Sequence, residues 1–275
     1  LDEMKHKMPD RWHMEGVAEQ NIIGMAAGLA MEGYIPYVNT IATFITRRCY
    51  EQVALDLCLH NLPVRLIGNG GGLVYAPLGP THLAIEDMAI MRSLPNMTVV
   101  APTDADEMKR LMEKSVTVPG PMYIRLGKGG DPVVSREEDG FEIGKSILLR
   151  EGDDLLIVTT GVMVSRALEA AELLSAQGME CSVLNMHTVK PLDHERLGEL
   201  VTKTKKIVTI EEHTLSGGLG SAVIESLCDN HSGQIPPIKR LGIPDSFAED
   251  YGSQDSLLES YGLQPAEIVK TIISK

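Results

Sequence analysis

The sequence predicts an α/β protein of two domains, each a largely parallel sheet flanked by helices. Three observations predict it. The 275 residues exceed the usual span of one domain. Apolar strand-like runs alternate with helical patterns through both halves, the arrangement of parallel βαβ units. Between the halves, 127–145 carries Gly, Pro and mixed charge and interrupts that rhythm, as a linker does. The expected division is 1–138 and 139–275.

The first helix follows Gly16-Val17-Ala18-Glu19-Gln20-Asn21 and runs through Ile22-Ile23-Gly24-Met25-Ala26-Ala27-Gly28-Leu29-Ala30. Its small residues allow it to press closely on a neighbour. No strand-like run precedes it and no initiator Met is present, so a missing first strand and a trimmed or incomplete N-terminus are expected. A strand is expected over 34–39, a helix over 50–57 and an apolar strand over 64–68. A Gly-rich loop at 69–72 leads to a helix over 85–93 and a strand over 97–101. Asp104 with Glu107 three residues on has capping-box spacing and opens a helix to Ser115. A strand over 122–126 closes the half. The second half restarts with a strand over 154–160, a helix over 164–177 and a strand over 180–185. A further helix leads to a strand over 206–210, a helix over 219–229 and a strand over 238–241. Short repeats and low-complexity tracts are absent from the sequence.

Bulk properties narrow the function. Hydrophobic residues make up 43%, enough for proper cores, and no apolar run approaches the about 20 residues of a membrane span. A net charge of -13 argues against nucleic acid and anionic membrane as partners. Cys49, Cys58, Cys181 and Cys228 lack metal or redox spacing, and Leu1 to Lys7 show no signal-peptide pattern. A reduced, cytoplasmic protein is expected. Glu19 stands out because a carboxylate ahead of a close-packing helix is expected at a buried interface. Such a group needs a partner, and buried carboxylates are good functional candidates.

Several segments, in order along nearly the whole chain, resemble the transketolase family. They are Gly16-Val17-Ala18-Glu19-Gln20, Thr43-Phe44 with Arg47, Gly79-Pro80-Thr81-His82 with Glu86-Asp87 and Met91-Arg92, Ala101-Pro102-Thr103-Asp104, and Tyr123-Ile124-Arg125. In the second half, Glu211-Glu212-His213 with Gly217-Gly218-Leu219-Gly220-Ser221-Ala222, and Gly242-Ile243-Pro244-Asp245 with Gly252-Ser253-Gln254, resemble the family's C-terminal domain. The resemblance implies a pyrimidine-binding domain followed by a transketolase C-terminal domain, and thiamine diphosphate as cofactor. It makes Glu19 the acid that hydrogen-bonds the aminopyrimidine, whose imino form deprotonates the thiazolium carbon; the bland alternative is an N-cap. Phe44 becomes the ring stacked on the pyrimidine, and Arg47, one helical turn on, a residue near the cofactor. His82 becomes a contact to sugar hydroxyls or the bound intermediate, and Arg125 an anion-binding residue of the substrate pocket. His213 is expected to be structural, closing a turn in the C-terminal domain.

Departures from the family pattern matter too. Leu78 replaces the Asp that usually precedes Gly-Pro-Thr-His, and Gly70-Gly71-Gly72-Leu73-Val74-Tyr75 lacks the His or Arg that holds a sugar phosphate. A different or less charged substrate is expected, with Tyr75 lining the altered pocket. The glycines lack the Lys-Ser/Thr of a phosphate loop. No Gly-Asp-Gly with a following Asn is present to hold diphosphate and metal, and Gly152-Asp153-Asp154 is read as a turn. The resemblance therefore implies the C-terminal subunit of a split transketolase. An N-terminal subunit would supply the diphosphate site and Mg2+ or Ca2+, in an α2β2 assembly containing a homodimer. A two-carbon ketol unit would move between sugars or sugar phosphates. The alternatives are decarboxylating condensation, as in 1-deoxy-xylulose-5-phosphate synthase, or a 2-oxoacid dehydrogenase beta subunit. A non-enzymatic relic would be expected to lose Glu19 or Phe44, and both are present.

Overall fold

Apolar runs bounded by helical patterns become strands covered on both faces, as a parallel sheet requires. The structure is a computed structural model describing residues 2–274. Helix α1 (Asp2–Lys7) leads to α2 (Glu19–Met31), β1 (Tyr37–Ile41) and the short helices α3 (Ala42–Thr46) and α4 (Tyr50–Gln52). The helix expected over 50–57 continues from α4 as a π-helical stretch, Val53–Leu59. Then come β2 (Arg65–Asn69), α5 (Asp87–Ser93), β3 (Thr98–Val100), α6 (Ala105–Ser115) and β4 (Met122–Leu126). Among the described residues no strand precedes α2.

The second half contains β5 (Ile147–Asp153), β6 (Leu155–Thr159), α7 (Met163–Ser175), β7 (Cys181–Asn185), β8 (Thr188–Lys190) and α8 (His194–Val201). It ends with β9 (Ile207–Thr214), α9 (Leu219–Asn230), β10 (Ile238–Ile243), α10 (Gln254–Ser260) and α11 (Pro265–Ile273). The first sheet has the order β1-β2-β4-β3-β8 and the second β10-β9-β6-β7-β5. Pairing is parallel throughout except for β8 on β3 and β5 on β7. Every residue of β6 and β7 is buried, consistent with central strands.

Two strands depart from the sequence reading. Strand β8 lies beyond the expected division at 138/139 yet completes the first sheet, pairing Val99 with Lys190 and Val100 with Thr188. Three residues are too few to show a period, and the partner strand lies far upstream. Strand β5 is an edge strand whose short apolar start, Ile147-Leu148-Leu149, is followed by Arg150, Glu151 and Asp153. In the Gly152-Asp153-Asp154 string the first two residues end β5 and Asp154 makes the expected bend before β6, where its Oδ1 pairs with Lys205 at 2.6 Å.

The break at 127–145 is fastened to the first sheet by Asp104. This N-cap of α6 accepts from Asp106 N and Glu107 N, and also from Val134 N, Ser135 N and Ser135 Oγ. Burial disfavours its charge, but the surrounding backbone N–H donors prevail and hold it below the usual carboxylate range. Glu107 does not complete a capping box on Asp104; its Oε2 accepts from Thr103 N at 2.6 Å and its Oε1 from Asn185 Nδ2 at 2.8 Å. One apolar cluster runs from Ile23 and Leu66 through Val99 to Val158 and Leu184, so the core is continuous across the two sheets.

Candidate active site

The N-cap position of α2 is Ala18, and Glu19 is the first helical residue. Its carboxylate favours the positive end of the helix dipole but caps nothing. Instead Oε2 accepts from Arg48 Nη1 at 2.8 Å, with Glu19 only 4% exposed. Among the described residues no second donor reaches that carboxylate. Arg48 is itself held by position: its carbonyl accepts from Gln20 Nε2 at 3.0 Å, tying the first turn of α2 to the turn after α3.

Phe44 lies on α3, four residues before Arg48, so the two meet on one helical face. The Arg48 guanidinium sits over the Phe44 ring, 4.1 Å from its centroid, a cation–π contact. The ring also meets His82 in a T-shaped contact, with centroids 5.3 Å apart. Glu19, Arg48, Phe44 and His82 thus form one continuous cluster.

The turn bearing His82 is bound to α3 and its continuation. Thr43 Oγ1 donates to the His82 carbonyl at 3.1 Å, and Thr81 Oγ1 lies 2.9 Å from His82 Nδ1. Arg47 does not join the Glu19 cluster by any hydrogen bond or ion pair. Its Nη2 donates to the carbonyls of Thr81 and Leu83, and its Nε pairs with Glu86 Oε1 at 3.1 Å. Burial pushes the Glu86 carboxyl up from its ordinary value, while Arg47 opposes the shift.

Arg125 is not placed as an open substrate ligand. It is 6% exposed; Nε donates to Asp87 Oδ2 at 2.9 Å, and Nη2 donates to the carbonyls of Ala84 and Glu212 at 3.2 and 2.8 Å. Burial disfavours its charge, but Asp87, Glu212 and Tyr123 together hold the guanidinium above its ordinary value. Tyr75 packs against an apolar cluster that includes Leu73, Ile157 and Leu257, and lies over Gly70. The glycine run is explained by packing. A Cβ would fall 2.1 Å from Tyr75 at Gly70, 2.5 Å from Arg125 at Gly71 and 2.4 Å from Glu212 at Gly72. Gly70 and Gly72 also adopt φ +68 and +69, which favours glycine. Leu78 is half exposed.

His213 bridges the halves rather than closing a turn within the second. Its Nε2 accepts from Ala89 N in α5, and Nδ1 lies 2.7 Å from the Thr214 carbonyl, so Nδ1 carries the proton. Burial pushes its pKa down to about 4, consistent with a neutral ring. Among the described residues no group of three or more His, Cys, Asp or Glu is arranged to hold a metal ion, and no helix is long and apolar enough to cross a membrane.

Comparison with known proteins identifies the two domains. Residues 2–130 match the transketolase pyrimidine binding domain and residues 144–268 the transketolase C-terminal domain. A 6-deoxy-6-sulfo-D-fructose transketolase subunit from Clostridium sp. (strain MSTE9) is 42% identical over 265 residues, which cover 96% of this chain and 81% of that protein. The chain belongs to the transketolase family. Within that family, the 1-deoxy-D-xylulose-5-phosphate synthase of Gloeothece citriformis is 39% identical over 277 residues. The match takes in 99% of this chain but 43% of the synthase, so the chain spans under half of that relative's length. A solved split gene transketolase, an inactive beta4 tetramer, is similar with a TM-score of 0.88 and 39% identity. That match covers 98% of this chain and 85% of the other.

A pyrimidine-binding domain of the transketolase family implies thiamine diphosphate as cofactor. The residues present suit its pyrimidine end: a buried carboxylate with an oxygen left over from its ion pair, beside a flat aromatic ring. Arg48 is the member of this cluster that sequence reading missed. Its signal was the spacing: Arg48, not Arg47, stands four residues from Phe44.

Proposed function

We propose that this chain is the C-terminal, pyrimidine-binding subunit of a split, thiamine-diphosphate-dependent transketolase, divided near 138/139 into its two domains. The observation that carries the reading is the chain of contacts in which the buried Glu19 carboxylate pairs with Arg48, Arg48 lies over Phe44, and Phe44 meets His82. When bound, thiamine diphosphate supplies the carbon nucleophile that accepts the two-carbon ketol unit. Glu19 would hydrogen-bond the pyrimidine ring nitrogen through its free carboxyl oxygen, the two sharing one proton, and Arg48 would orient that carboxyl group. Phe44 would cover the ring face, its own orientation held by the Arg48 guanidinium. His82 would hydrogen-bond a sugar hydroxyl.

The diphosphate and its Mg2+ or Ca2+ are assigned to an N-terminal partner subunit, in an α2β2 cytoplasmic assembly. Relatives described as a transketolase subunit and as a split gene transketolase support the need for a partner subunit. Donor choice follows from the glycine loop, whose space is taken by Tyr75, Arg125 and Glu212 rather than by an anion, and from Leu78. These leave fewer ligands for a sugar phosphate and favour a donor with a different terminal group, a sulfonated ketose among them. Arg47 remains a contact near the cofactor only through the turn it holds.

The test is cofactor binding and turnover with each subunit alone and with both together. Thiamine diphosphate is expected to bind tightly only to the pair, which then transfers a ketol unit from 6-deoxy-6-sulfo-D-fructose or a ketose phosphate. Tight binding by this chain alone would overturn the split reading. Turnover with pyruvate, and none with ketoses, would favour decarboxylating condensation instead.

A further inference from the structure

Residues 79–86, which carry His82, are gripped from two directions. On the cofactor side, Arg47 holds the carbonyls of Thr81 and Leu83, and Thr43 holds that of His82. The opposite grip comes from the second half of the chain. Arg125 Nη2 donates to both the Ala84 carbonyl and the Glu212 carbonyl, joining the end of the His82 turn to β9 with one nitrogen. Glu212 in turn accepts from Leu73 N at 2.9 Å and from Gln254 Nε2 at 2.8 Å, both on Oε1. Gly72 and Ala84 exchange backbone hydrogen bonds at 2.8 and 3.1 Å, so this grip extends into the glycine loop. At the other end of the turn, the ring of Tyr251 covers Gly79, where a Cβ would fall 2.6 Å from Tyr251 Cε1.

We propose that Arg125 and Tyr251 are positioning residues that use the C-terminal domain to fix the His82 turn for substrate. Arg125 can do this because its planar fork addresses Asp87, Ala84 and Glu212 together, an arrangement an ammonium group does not reproduce. Tyr251 acts by ring contact alone, since it is largely exposed. Neither residue contacts Glu19 or Phe44 by hydrogen bond or ring stacking, so the effect falls on His82 and leaves cofactor activation in place. The proposal rests on the reading of His82 as a substrate contact, but its first test does not.

That test is amide hydrogen exchange of the full chain, comparing wild type with Arg125→Lys and Tyr251→Ala. Both variants are expected to exchange about tenfold faster across 79–86 while 19–31 keeps its wild-type protection. Unchanged protection over 79–86, or an equal loss over 19–31, overturns the proposal. Should Arg125→Lys fail to fold, Tyr251→Ala decides the matter alone, because it removes only an exposed ring. In the reconstituted complex, Tyr251→Ala should raise the KM for the ketose donor about tenfold with cofactor-carbon proton exchange unchanged. A fall in proton exchange equal to the loss in kcat/KM counts against positioning. A wild-type complex with no proton exchange overturns the proposed function, while the amide-exchange result still decides whether the two residues hold the turn.

Discussion

Replacing Glu19 with Gln separates the functional duty of this side chain from its structural one. Structurally, Glu19→Gln gives up one charge-assisted hydrogen bond, Arg48 Nη1 to Oε2 at 2.8 Å. Such bonds contribute about 1.5–3 kcal/mol, but the Arg48 side chain is 46% exposed and solvent screens the pair. The expected cost is therefore about 1 kcal/mol, or a melting-point drop of about 2–4 °C. Functionally, the amide cannot take up the proton relationship that a carboxylate sets at the pyrimidine nitrogen. Loss of a positioned acid or base costs about 10²- to 10⁴-fold. Cofactor-carbon proton exchange, read by quenched NMR on the complex with the partner subunit, should fall by that factor while assembly persists. Exchange within about threefold of wild type would refute the reasoning; so would unfolding of the variant, which would make Glu19 a structural residue.

Three further outcomes follow from the geometry. Arg48→Met removes both the Glu19 pair and the guanidinium over Phe44, so it should cost about 1–2 kcal/mol of stability. It should also weaken cofactor binding by calorimetry, and wild-type affinity would contradict the cluster. Burial pushes Glu107 from 4.5 up to about 7 against the Thr103 N–H, so the native state keeps a proton that the unfolded chain releases within that window. Stability contributed there falls as pH rises through it, and Glu107→Gln should exceed wild type by at most about 3 kcal/mol at about pH 8. In urea melts the advantage should vanish below about pH 4.5, and an advantage independent of pH would contradict the assignment. Gly72→Ala forces a Cβ against Glu212 at φ +69, whereas Gly178→Ala at φ +82 meets open space. The first should cost about 2–4 kcal/mol and the second about 1; equal costs by chemical denaturation would show that the loop yields to Glu212.

Much of the fold was legible because its strands are short apolar runs separated by helical periodicity, as in 64–68, 122–126 and 180–185. The Glu19 segment points to the proposed pyrimidine side of the site for the same reason that it resembles the family: the residue types are uncommon in that order. What escaped reading was set by partners distant in sequence. Arg125 is expected to be an anion ligand because Tyr123-Ile124-Arg125 resembles the family's substrate pocket. Its actual partners, Asp87, Ala84 and Glu212, come from separate segments that no local pattern connects. The choice between Arg47 and Arg48 was local, and helical spacing resolves it once α3 is known to contain Phe44.

Strand β8 carries a consequence for any attempt to divide the chain. Severed at the Gly- and Pro-rich break, the first half would keep β3 but lose the strand that covers its edge. The exposed row of backbone donors and acceptors along Val99 and Val100 would then be free to recruit a foreign strand. A duplication or recombination event that cut at the most obvious seam would thus inherit an adhesive edge. The two halves are, in that sense, a single hereditary unit whose last stitch is sewn some ninety residues after the cloth it closes.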